Sequence, residues 1–160
     1  MRFNYELRKS GWAVARISDD EREVVITVSY LHDSLTQLAQ GILDLIAGKP
    51  EVTIIFMDEP GEHHIVFWQQ HDKKVKVEVR WFKEWSSLTM GSSDRYKVVM
   101  KVSVPFHRIY KSVMSALDAI FIEYGMKGYK ENWVAHDFPI LEYQELQKFS
   151  MEDYFSKRQN

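Results

Sequence analysis

The chain has 160 residues, 45% of them hydrophobic and 28% charged, which is a one-domain globular composition rather than a disordered or fibrous one. Its 21 basic and 23 acidic residues give a formal net charge of -2, which excludes a general electrostatic footprint for nucleic acid or an anionic membrane. With no cysteine there is neither a disulfide framework nor thiolate chemistry, and a zinc ion would have to be held by His and carboxylates alone.

The opening stretch MRFNYELRKSG has no apolar h-region, and no apolar run approaches the roughly 18 residues needed to span a bilayer, so a cytoplasmic protein is expected. Residues 3–7, 12–17 and 23–30 read as three strands, the last two joined by the turn-like Ser18-Asp19-Asp20-Glu21. In SLTQLAQGILDLIAGKP, Ser34 is placed to cap a helix, with Gln37 three residues on completing a capping box. Leu35, Leu38, Ala39, Ile42, Leu45 and Ile46 form its apolar stripe, and Gly48 sits where a C′ glycine is wanted.

Residues 51–57 and 63–70 read as a more apolar strand pair. The clearest strand is 74–81, where Val75, Val77, Val79 and Trp81 alternate with Lys74, Lys76, Glu78 and Arg80. Residues 96–104 repeat the pattern, which predicts Val98, Met100, Val102 and Val104 inward. A second helix starts near Pro105, at its first helical position, and buries Phe106, Ile109, Val113, Leu117, Ile120, Phe121 and Tyr124 before Gly125 stops it. Residues 137–148 and 150–157 read as short helices. Strands joined by short turns favour antiparallel pairing. The predicted fold is therefore a single α+β domain, a two-layer sandwich with a mainly antiparallel sheet of about seven strands. Two amphipathic helices lie on one face, followed by a short helical C-terminal tail. Leu38, Ile42, Leu45, Val77, Val79, Val98, Val113 and Leu117 are its predicted core.

Two stretches carry candidate chemistry. In DEPGEHH, Asp58, Glu59, Glu62, His63 and His64 flank Pro60-Gly61, a pair suited to the centre of a type II turn in a longer or bulged loop. Glu62 and His64 share one face of a strand while His63 points to the other, too few ligands on either side for zinc. No metal site, catalytic residue or cofactor is expected from this pattern. In RWFKEW, Arg80, Phe82 and Glu84 share a face and Trp85 closes the strand, an aromatic-plus-arginine composition typical of binding hot spots. Phe82 and Trp85 equally suit a position tucked under the following SSLTMGSSD or the C-terminal tail.

The block SYLHDSLTQLAQGILDLIAG, DEPGEHHIVF and VKVEVRWFKEW resembles small bacterial immunity proteins encoded beside polymorphic toxins of the contact-dependent growth inhibition kind. The resemblance covers about a third of the chain and carries over no functional residue. It implies a stoichiometric inhibitor that binds a cognate toxin domain, a nuclease with a basic cleft being one target that the acidic loop suits. Partner-binding residues are expected at Asp58, Glu59, Glu62, His64, Arg80, Phe82 and Trp85, the loop acids acting as solvated rim charges. The partner is a protein, not nucleic acid or a membrane, and the chain itself is a monomer or weak homodimer. The alternatives are a small hydrolase using acid and His residues of the 58–64 loop, and a homo-oligomeric scaffold.

Overall fold

Period-two burial defines the strands. In β1 (Arg2–Leu7), β2 (Trp12–Ser18) and β3 (Glu23–Ser29), the buried apolar residues are Phe3, Tyr5 and Leu7, then Ala13, Ala15 and Ile17, then Ile26 and Val28. These strands pair antiparallel in the order β1-β2-β3. A second antiparallel sheet runs β4 (Glu51–Met57), β5 (Glu62–Gln69), β6 (Lys74–Phe82) and β7 (Tyr96–Pro105) in chain order. The computed structural model describes residues 1–85 and 95–149. The fold class is α+β, as the pattern predicts, but the seven strands form ladders of three and four instead of one continuous sheet.

The helix α1 (Ser34–Ile46) is capped one residue earlier than predicted. Asp33, not Ser34, accepts the Thr36 backbone N–H, at 3.3 Å. Gln37 is drawn away from a capping box: its Oε1 accepts the Ile55 N–H at 2.7 Å and lies 2.9 Å from His32 Nε2, which ties α1 to β4. The far end follows expectation. Lys49 N–H donates to Asp44 O at 3.0 Å and Gly48 N–H to Leu45 O at 3.1 Å, the two bonds of a Schellman motif, with Gly48 at φ 96°.

Pro105 is the last residue of β7 and the N-cap of α2 (Phe106–Trp133), not its first helical residue. Gly125, at φ 59° and ψ -168°, stops the first helical segment of α2 as predicted, and a second segment follows directly across the kink and buries Tyr129 and Trp133. The short α3 (Ile140–Gln147) covers less than the predicted 137–148 and buries Tyr143 and Leu146. The predicted helix at 150–157 lies outside the described residues.

α1 packs on β4 and α2 on β1, while the Phe3 and Tyr5 rings reach Phe56 at 6.3 and 6.4 Å and join the two sheets in one core. Leu38, Ile42, Leu45, Val77, Val79, Val113 and Leu117 are buried as predicted. Val98 is not; it is 43% exposed. A bulge causes this: Val79 pairs with Met100 but Arg80 pairs with Val98, so Val99 is an extra residue on β7 and the alternation before it is inverted. Replacing the buried Ile42 with Ala should cost roughly 2–5 kcal/mol in denaturant unfolding, through lost transfer free energy and the cavity left behind. An unchanged midpoint would contradict the packing of α1.

Candidate functional site

The hairpin between β4 and β5 is tighter than the predicted type II or bulged loop. Asp58 N–H donates to Gly61 O at 3.0 Å, leaving a two-residue tip, Glu59-Pro60, joined by a cis peptide. That puts Pro60 at the third turn position, as in a type VI turn, not at the second. Gly61 has φ 99°, and a Cβ there would run into the carbonyl oxygen of Phe82 and lie 3.0 Å from that of Lys83. β5 and the end of β6 can approach this closely only because the residue is glycine.

Alternation along β5 then divides the two histidines. Glu62, His64, Val66 and Trp68 face the outer side of the four-stranded sheet, and register sets them beside Phe82, Arg80, Glu78 and Lys76 of β6. Glu62 Oε1 lies 2.7 Å from His64 Nε2. Burial lowers the His64 pKa, and the Glu62 carboxylate opposes that effect. Glu62 is fully buried, so the expectation of a solvated rim charge at this position is wrong. The reason is parity: the residue is the first of β5, already inside the sheet, not part of the projecting turn. Of the other two acids, Asp58 is half-buried, and desolvation raises its pKa. Glu59 is exposed, and its Oε1 accepts the Ser29 hydroxyl at 2.8 Å, linking the tip to β3.

The rest of the outer face is a layer of cations and rings. The Arg80 guanidinium carbon sits 4.5 Å from the Tyr96 ring centroid and 5.3 Å from that of Trp68, and Lys76 Nζ is 4.3 Å from Trp68. Glu78 lies buried below them, with Arg80 Nε at 2.7 Å and Lys76 Nζ at 4.0 Å. Phe82 is buried against His64 at 4.3 Å and Tyr96 at 5.4 Å, so it supports the face instead of presenting an exposed anchor. Trp85 is partly buried, and its indole N–H donates to Asp58 O at 2.9 Å, clamping the hairpin. Tyr96 and Val98 are the exposed apolar residues of β7, at 41% and 43%.

On the inner side, His63 is buried between Phe56 and Trp81 in the register. Among the described residues its Nδ1 has no hydrogen-bond partner, and it lies 4.0 Å from Asp58 Oδ2. Burial pushes its pKa down to about 4, with the neighbouring His64 adding to the effect.

The structure thus brings Glu62, His64, Arg80 and Phe82 together on one face, and leaves Asp58, Glu59 and Trp85 at its hairpin end. Trp68 and Tyr96 were missed as site residues. Parity from His64 marks Trp68 as outward, whereas Tyr96 reaches Phe82 only through a pairing that no local pattern reveals. Chemically, Glu62–His64 is a carboxylate-oriented imidazole. Among the described residues no hydroxyl side chain is hydrogen-bonded to it, and no group of three or more His, Asp or Glu could hold a metal ion. No helix among the described residues is long and apolar enough to cross a membrane. No protein-family model, curated protein or solved structure matches the chain.

Proposed function

We propose that the chain is a protein-binding module, a stoichiometric inhibitor of the immunity type, that covers a cognate toxin domain with the outer face of β4–β7. The supporting observation is the bulge opposite Val79/Arg80, which turns Val98 outward beside Tyr96 and next to Arg80. Bulges commonly re-aim side chains at functional sites, and rings beside an arginine are the usual anchors of an interface.

Co-expression with the C-terminal domain of any polymorphic toxin found encoded next to this chain tests this. The unmodified chain should restore growth, and Val98→Asp should weaken the complex by about tenfold or more while leaving the melting curve in place. Neutralisation by neither protein, or by both equally, would overturn the reading. The scaffold alternative differs in predicting self-association that Val98→Asp abolishes in sedimentation. The Glu62–His64 contact at 2.7 Å favours the hydrolase as a second reading. Ester turnover that is lost in His64→Ala, with toxin neutralisation intact, would support that one.

A further inference from the structure

We infer that the partner surface seated on this face is an acidic protein patch, rich in Asp and Glu, the opposite sign to the one the acidic loop suggests. The inference rests on the binding reading above and names the chemistry of its partner.

The charges on the face are sorted by depth. Glu62 and Glu78 are both buried, and each is matched from within the layer: Glu62 by His64, Glu78 by Arg80 and Lys76. The cations are further out. Lys76 and Arg80 side chains keep 34% and 23% of their exposure, and Lys101, directly across from Glu78 in the ladder, is exposed. A partner therefore meets ammonium and guanidinium groups first and carboxylates only beneath them. Long cationic side chains reach out in this way over apolar stems.

Arg80 is also prepared geometrically. Its Nε is engaged by Glu78 and its plane is held between Trp68 and Tyr96, yet among the described residues its two Nη groups make no hydrogen bond. A preordered guanidinium with free donors is matched by a carboxylate, which can take two of them at once. On the strands of this face the exposed carboxylate among the described residues is Glu51, at the outer edge of β4, two strands from Arg80; Glu84, two residues past the end of β6, is exposed as well. A single-stranded nucleic acid also stacks on rings, but it requires a continuous basic groove along its backbone. Here Lys101 is exposed, Lys76 and Arg80 are half-buried, an apolar Val98 interrupts them, and the whole chain carries a formal -2.

The test is amide shift mapping with three probes: a soluble Glu/Tyr copolymer, a poly-Lys peptide and an oligo-dT strand. The Glu/Tyr probe should shift β6 and β7 amides and weaken with salt, because exposed charges are screened over about 8 Å at physiological ionic strength. Lys76→Gln with Lys101→Gln should reduce its affinity about tenfold or more. Lys97→Gln, on the same strand but paired with Trp81 on the other face, should not. Poly-Lys binding at this face in place of the acidic probe would overturn the sign and leave the binding reading standing. Tighter binding of oligo-dT there, or no shift on this face with any probe, would overturn both.

Discussion

Between pH 6.5 and pH 4 the folded state should lose about 3 kcal/mol of stability through His63. In the unfolded chain this imidazole takes up its proton near its ordinary pKa of 6.5; in the folded chain burial holds it at about 4. Across that window the unfolded state binds more protons, so unfolding becomes easier as pH falls, by about 1.4 kcal/mol per pH unit at most. Above pH 6.5 both states leave the ring neutral and the full stability is present. His64, also lowered, contributes in the same direction. Asp58, facing His63 from the hairpin, has a raised pKa and opposes the loss only near the carboxylate range. The His63 signature is therefore cleanest from pH 6.5 to 5. Denaturant midpoints for the unmodified chain and His63→Phe at pH 7, 6 and 5 should differ by an amount that shifts steadily in favour of His63→Phe as pH falls. Two parallel pH curves would show that His63 is not buried as described.

Gly61→Ala should destabilise the fold by at least about 3 kcal/mol, lowering the melting temperature by about 10 °C. Two causes add. A φ of 99° is strained for any residue with a Cβ, and the Cβ would meet two backbone carbonyls, those of Phe82 and Lys83, which cannot rotate aside as a side chain can. Relief requires β5 and the end of β6 to separate, with the Trp85–Asp58 clamp between them. Gly125→Ala is the matched control. Its φ of 59° and ψ of -168° lie where glycine is strongly favoured, but no atom lies within 4 Å of the added carbon, so only the backbone term applies, about 1–3 kcal/mol. Similar melting curves for the two variants would remove the close approach at Gly61 from the account.

Residues that answer to local rules were legible in the sequence; those that answer to pairing were not. Strict alternation located β6, and short apolar runs located β1, β2 and β4, to within a residue or so, while helical spacing located α1 and the buried stripe of α2. Asp33 displaced Ser34 as the cap because both residue types cap helices and only the backbone decides which is outside. Val98 was misassigned because one extra residue on β7 is visible only against its partner strand. At the site, the shared face of Glu62 and His64 followed from parity. The burial of Glu62 did not, because it depends on the neighbours across the ladder, Met57 and Phe82. Arg80 was found from composition, but its bracket of Trp68 and Tyr96 is assembled from three strands.

The junction at Pro105 makes the strand that carries the exposed residues and the longest helix one mechanical piece. No loop separates β7 from α2, and the first amide of the helix, Phe106, donates to the Lys73 carbonyl at the turn into β6. A ligand that stiffens β7 therefore has a rigid lever into the interior. Occupancy of the outer face should be readable at a distance, as slowed hydrogen exchange in the first turns of α2. That gives a reporter for partners too weak to isolate.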